Sequence, residues 1–292
     1  MNDYENAIEI SGLTKRYDGF TLDNLSFSVP KGSIMGFIGQ NGAGKTTTIK
    51  AILNIIKADE GSVKLLGMDS LTEEIPIKER IAAVFDEIPF HDEFTAKNLD
   101  VIFGDIYKNW NTQTFEQYLD RFALPRKKKI GKLSKGMKMK LQIACALSHG
   151  AELLIMDEPT SGLDPFVRSQ LLNILKDYMG KGGKGVFFST HITSDLEKIA
   201  DMLIMIDGGE IVFQEEKDQL LDSYRIIKGS TEKLNTDTRK YFLNIEESAF
   251  GFTGITKQGS DVMEHMQDAL TERPTIEDIM LANVERRKKD VN

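Results

Sequence analysis

The stretch Gly39-Gln40-Asn41-Gly42-Ala43-Gly44-Lys45-Thr46 has the residue types and spacing to hold a phosphate chain. It fits the pattern G-x-x-x-x-G-K-[ST], in which glycines let the backbone wrap an anion and successive N–H groups point inward. The apolar run 33–38 before it predicts a buried strand. Residues 47–56 after it, with Ile49, Ile52, Leu53 and Ile56 on one face, predict a helix whose positive end adds to the anion site. In that frame Gly39, Asn41, Gly42, Ala43, Gly44 and Thr47 surround the phosphates. Lys45 reaches the β/γ-phosphates, and the Thr46 hydroxyl is placed to ligate Mg²⁺. This loop points to a nucleotide phosphate and leaves open what the energy is used for.

Further candidates stand where apolar runs end. Asp157-Glu158 closes the run 152–156, about 110 residues after the loop. A carboxylate there can hold Mg²⁺ through water while its neighbour activates a nucleophilic water, although Asp-Glu after a strand is common. His191 follows the strand predicted over 185–189, beside Ser189 and Thr190, where it suits a γ-phosphate contact. Asp86 ends the run 81–85 and reads either as a Mg²⁺ or water contact or as a solvated strand end. Tyr17 closes the first strand, as a stacking platform for an adenine ring or as a half-buried strand aromatic. Ser134 is a good N-cap for an amphipathic helix reaching about residue 149. With Gly136 it is also a weak anion signal.

The elements that must position these residues alternate between strand and helix. Strands over 7–17 and 21–29 meet at the turn Asp18-Gly19, and 61–66 is a further strand. A short helical piece covers 73–80. Residues 95–123 read as helical with a break at 109–111, and Leu99, Ile102, Phe103 and Ile106 share one stripe. A hairpin joins 202–206 to 210–213. Beyond about residue 221 the chain turns polar, with strands expected at 241–245 and 250–255 and helices at 261–270 and 275–284.

Composition excludes some functions. The net charge of −8 argues against nucleic acid as the main partner. Cys145 is the only cysteine, which rules out an intrachain disulfide and suits a reducing cytosol, where its simplest role is a small buried hydrophobe. No basic-then-apolar leader opens the sequence and no apolar run approaches the length of a membrane span. A membrane role would therefore need another chain to supply the spanning part. The basic run 126–129 reads as a solvated face, with a phosphate contact as the alternative.

Together these pieces resemble one family, the ATP-binding subunits of ABC transporters, over about residues 5–222 and in the family's order. GQNGAGKT resembles its Walker A and LLIMDEPTSGLD its Walker B running into the D-loop. LSKGM resembles its LSGGQ signature, His191 the switch histidine and Tyr17 the aromatic A-loop. The resemblance implies an α/β fold: a P-loop NTPase (RecA-like) core with an N-terminal antiparallel β subdomain, a helical signature subdomain over about 88–150 and a small α+β C-terminal appendage. The ATPase domain would be 1–222 and the accessory domain 223–292.

The same resemblance implies ATP and Mg²⁺, with Glu158 as general base, Asp157 binding the metal through water and His191 holding the γ-phosphate and the water. Two copies, or this chain and a relative, would pack head to tail, so that Ser134 and Gly136 of one face the phosphate loop of the other. Asp164 would communicate between the two sites. An integral membrane permease would complete an exporter at the cytoplasmic face of the membrane. The competing expectation is a soluble ABC-type ATPase not coupled to transport. In the departures from the family pattern, Asp86 stands where Gln is usual, and Lys135 and Met137 replace Gly and Gln of the signature.

Overall fold

The computed structural model describes residues 4–291, so the first three residues of the 1–222 assignment and the last of the 223–292 assignment lie outside the described residues. The chain opens with β1 (Asn6–Tyr17) and β2 (Phe20–Pro30), antiparallel across a tight turn. Next come β3 (Ile34–Ile38), the phosphate loop and α1 (Lys45–Ile52). Then β4 (Glu60–Leu65) and β5 (Met68–Asp69) complete a first sheet in the order β2-β1-β4-β5. The helix α2 (Glu74–Lys78) leads to β6 (Ile81–Phe85) and on to a helical group, α3 (Ala96–Ile106), α4 (Thr112–Arg121) and α5 (Lys135–Ser148).

After them the chain alternates through β7 (Leu153–Asp157), α6 (Pro165–Met179), β8 (Gly185–Thr190), α7 (Thr193–Ile199), β9 (Met202–Asp207), β10 (Glu210–Glu216) and α8 (Lys217–Ser223). The second sheet runs β10-β9-β3-β8-β7-β6 and is parallel except for the edge strand β10. The tail adds β11 (Arg225–Gly229), α9 (Thr236–Arg239), β12 (Asn244–Ser248), β13 (Gly251–Thr256), α10 (Gly259–His265), β14 (Leu270–Glu272) and α11 (Ile276–Val291). Its strands form a third, antiparallel sheet ordered β12-β13-β11-β14.

The near-continuous apolar runs of the central strands follow from burial on both faces. On β7, Leu153 and Ile155 pack with the first sheet and α1, while Leu154 and Met156 pack with α5, α6 and the rest of the helical side. On β8, Phe187 takes the first face and Val186 and Phe188 the second, as the period of two requires. Helix α7 closes on β3 at Gly36, where a Cβ would lie 2.7 Å from a Leu196 methyl.

Several expectations shift in detail. Helix α1 stops at Ile52 and not at 56, because Asn54 turns left-handed at φ 54, a conformation Asn tolerates better than most residues. On α3 the expected stripe is buried at Leu99 only, and Ile106 is 60% exposed. In the tail, the strands at 225–229 and 270–272 were not expected. They are short, three to five residues, and carry little period to read.

Helix α11 returns to the main body. Ile276, Ile279, Met280, Ala282 and Val284 join the same buried cluster as Leu196, Ile199 and Tyr224, and the Ile276 N–H donates to Glu197 Oε1 at 3.2 Å. Arg287 lies 3.4 Å from Asp207 and also pairs with Glu210, at the turn of the β9–β10 hairpin. Ile279→Ala is therefore expected to cost about 2–4 kcal/mol of the stability of the whole chain, read from denaturant unfolding. A loss below about 0.5 kcal/mol would show that α11 does not share the main core.

Candidate functional site

The C-terminal ends of β3, β6, β7 and β8 lie at one edge of the parallel sheet, and the parallel register sets the height of each residue there. Ile38 is opposite Thr190, Asp157 is opposite Ser189, and Phe85 is opposite Asp157. That edge holds a cavity of about 430 Å³. It is lined by Asn41, Gly42, Gly44, Lys45, Thr46 and Thr47 from the loop and α1, by Asp86, Asp157, Glu158 and His191 from the strand ends, and by Phe20 and Ser161.

The loop takes its shape from its glycines. Gly44 caps α1 at φ 113, and a Cβ there would meet Leu22 at 2.6 Å and Phe20 at 3.0 Å. The hydrogen bond from the Ala43 N–H to the Gln40 carbonyl closes the loop at 3.1 Å, and the Gly209 N–H donates to Ala43 O at 3.1 Å. Gly39 and Ala43 thus serve through the backbone and do not line the cavity. The Lys45 side chain is 6% exposed, and its Nζ donates to Gly39 O at 2.8 Å and Gln40 O at 3.3 Å. Its charge is matched by Glu158, whose Oε1 lies 3.3 Å away.

Glu158 sits between two cations or potential cations. Its Oε2 lies 2.7 Å from His191 Nδ1 and accepts from the His191 N–H at 3.3 Å. Its own backbone is left-handed, φ 50, an uncommon conformation for a non-glycine residue. Ser189, fully buried, holds that geometry: its Oγ donates to Asp157 Oδ1 at 2.6 Å, and both its Oγ and its carbonyl accept from the Glu158 N–H at 3.1 Å. Asp157 is itself buried and acceptor-only toward Ser189, with its carboxylate in the cavity wall. The oxygen donors in that wall, the Thr46 hydroxyl and the Asp157 and Asp86 carboxylates, suit a hard divalent cation that keeps waters and phosphate oxygens as its other ligands.

The remaining expected residues lie elsewhere. Tyr17 is 47% exposed, under the ammonium of Lys15, and is not among the cavity residues. Its neighbour across the turn, Phe20, is the aromatic that lines the cavity. Ser134, Gly136 and Asp164 form a second group. Ser134 caps α5 by accepting from the Met137 N–H, and Asp164 caps α6 by accepting from the Phe166 and Val167 N–H groups, each at 3.0 Å. A Cβ on Gly136 would touch Val167 at 3.5 Å, so the starts of α5 and α6 pack on each other.

Sequence reasoning passed over Phe20, Ser189 as a positioning group, and Gln142. The buried Gln142 amide on α5 clamps Phe85 by donating to its carbonyl at 2.9 Å and accepting from its N–H at 3.2 Å. A polar residue amid the apolar face of α5 was the one signal for it.

The sequence profile of the ABC transporter family matches residues 22–161. A bacitracin transport ATP-binding protein of Bacillus licheniformis, BcrA, is 34% identical over 216 residues, covering 73% of this chain and 71% of that protein. The Nod factor export ATP-binding protein I of Sinorhizobium fredii is 30% identical, covering 97% of this chain and 88% of its own length. Among solved structures, one titled as the ATP-binding subunit of an ABC transporter superposes with a TM-score of 0.68 at 26% identity, covering 74% of this chain and 92% of that one.

Ser189→Ala removes the hydroxyl that holds the Asp157 carboxylate and the Glu158 N–H. We expect the rate of nucleotide hydrolysis to fall about tenfold or more while nucleotide affinity changes less than about threefold. Steady-state hydrolysis beside calorimetric binding checks this, and an unchanged rate would remove Ser189 from the positioning of these carboxylates.

Proposed function

This chain belongs to the ABC transporter family and hydrolyses ATP, and we propose that it is the ATP-binding subunit of an exporter, energising export of a peptide, drug or lipid-like substrate through a separate membrane subunit. The observation that carries the reading is Glu158, held between Lys45 and His191 at the mouth of the phosphate loop.

In this reading Gly39, Asn41, Gly42, Ala43, Gly44 and Thr47 surround the phosphates of ATP, and Lys45 moves its ammonium to the β/γ-phosphates. Glu158 accepts the proton of a water as that water attacks the γ-phosphorus. The bond to the β–γ bridging oxygen breaks, and its electron pair leaves with ADP. His191 orients Glu158 and, through it, the water. Thr46, with Asp157 and Asp86 through water, would hold Mg²⁺, which when bound neutralises charge on the phosphate oxygens. An adenine ring would stack on Tyr17, which lies outside the cavity beside Phe20, the aromatic that lines it.

Ser134 and Gly136 lie outside the cavity. That supports a second ATP-binding subunit, identical or related, packed head to tail so that each helix start of α5 closes the other's phosphate site. Asp164 would then communicate between the two. ATP would close this dimer, and hydrolysis would let it open. Residues 1–222 would be the ATPase unit, with its helical part over 88–150, and 223–292 an accessory unit.

A groove of about 310 Å³ between α1, α2, β6 and the end of α3 supports a membrane partner. Ile55, at its edge, is 57% exposed, and Leu71, Ile75 and Ile106 on the neighbouring segments are 60% exposed or more, more apolar surface than scattered single residues explain. Among the described residues no helix is long and apolar enough to cross a membrane, so the chain would sit at the cytoplasmic face through its permease. The names of the bacitracin and Nod factor relatives favour export over a soluble ATPase.

Glu158→Gln is expected to keep ATP binding, lower hydrolysis by about a hundredfold or more, and accumulate as an ATP-bound dimer on size exclusion. Hydrolysis at the parental rate would overturn the base assignment. Affinity purification of the tagged chain in mild detergent is expected to bring down a multi-span membrane protein in stoichiometric amount. An eluate holding only soluble partners would favour the uncoupled ATPase.

A further inference from the structure

The two family-pattern departures near the phosphate site touch each other. Asp86 follows the last residue of β6 and lines the cavity, and its Oδ1 lies 2.5 Å from Lys135 Nζ. Lys135 is the first residue of α5, directly after the N-cap Ser134. A cation in the first turn of a helix opposes the macrodipole, so local helix preference does not account for it.

The Lys135 stem also crosses the turn before α6. A Cβ on Gly162 would lie 3.1 Å from Lys135 Nζ and 3.5 Å from its Cδ and Cε. One cation therefore meets the end of β6, the start of α5 and the turn at Gly162. Seven residues along, on the same face of α5, Gln142 clamps the backbone of Phe85, next to Asp86. The end of β6 is thus tied to α5 twice, once by a buried neutral amide and once by a half-exposed ion pair.

The charges around the cavity show what the ion pair does. Glu158 is paired with Lys45 and lies 2.7 Å from His191 Nδ1, and Asp157 accepts from Ser189. Asp86 is the remaining carboxylate of the wall, and its cation is Lys135. Both partners are over 40% exposed, so the pair adds little to folding stability. Its effect falls on the ligand, because an uncompensated carboxylate beside a polyphosphate repels it.

We infer that Asp86 and Lys135 act as one neutral unit at the cavity rim, in which Lys135 is the positioning residue that cancels and orients the Asp86 carboxylate and so couples the start of α5 to ATP affinity. The inference rests on the reading that ATP binds in this cavity. Because Lys135 belongs to α5, any movement of the helix start changes the charge the phosphates meet. By linkage, ATP biases the position of α5 in return.

The test is a set of full-length variants titrated with ATP by calorimetry at low and high salt, with Mg²⁺ and with EDTA. Lys135→Met keeps the stem over Gly162 and removes only the charge. We expect it to weaken ATP binding about three- to tenfold at low salt, more in EDTA than in Mg²⁺, with the difference shrinking as salt screens it. In EDTA, where Asp86 has no metal to hold, the double variant Asp86→Asn/Lys135→Met should return to within about twofold of the parent, and Lys135→Arg should bind as the parent does. Melting temperatures without nucleotide check that each variant is folded. An unchanged affinity in Lys135→Met, a double variant as weak as Lys135→Met in EDTA, or a weakening without salt dependence would each overturn the inference. Lys45→Ala, measured alongside, should lose ATP binding. Retained binding there overturns the cavity reading and the inference with it, whereas lost binding beside an unaffected Lys135→Met overturns the inference alone.

Discussion

A buried ammonium organises this molecule. Lys45 is almost wholly removed from water, and a charge so placed is stable only if its partners are fixed around it. Two of its partners are carbonyls of the loop that precedes it, and the third is the Glu158 carboxylate at the end of a strand more than a hundred residues later. The loop must therefore fold back on its own lysine, and β7 must deliver Glu158 to the same point. The left-handed backbone at Gly44 and at Glu158 marks the two places where the chain bends to satisfy that requirement.

The parallel sheet makes the meeting possible. Because β3, β8, β7 and β6 pair in register, the residues just past their ends stand within one residue of the same height: the loop after Ile38, His191 after Thr190, Glu158 after Asp157 and Asp86 after Phe85. Ser189 then links neighbouring strands through its hydroxyl and carbonyl, holding Asp157 with one and the Glu158 N–H with both. Burial of the strands on both faces by α1 and the first sheet on one side and by α5, α6 and α7 on the other keeps that edge rigid.

The helical side is attached to this edge through α5. Gln142 fixes α5 to Phe85 by a buried amide that has no charge to lose, while Lys135 meets Asp86 in partial solvent. The first contact is suited to permanence and the second to response, since a half-exposed ion pair is weak and screened by salt. The tail is attached differently. Its sheet has a small core of its own, around Ile227, Phe252, Val262 and Met266, and α11 packs both on β12 and β13 of that sheet and on α7.

The sequence by itself determined the chemistry of the loop and the order of the elements. The run from Gly39 to Thr46 carries its meaning in spacing, because a phosphate cradle is made by consecutive backbone amides and glycines that are local in the chain. The strands around it were legible for the same local reason, as apolar runs ended by Asp157 and Asp86. What only the tertiary structure decided are the contacts between distant residues. Phe20 lines the cavity and Tyr17 does not, although the two are direct cross-strand partners, so the choice between two neighbouring aromatics depends on where the β1–β2 turn lies against the loop. The link from Lys135 to Asp86, 49 positions apart, follows from the angle at which α5 crosses the end of β6. No periodicity encodes that angle: packing of Gln142 and the apolar face of α5 sets it.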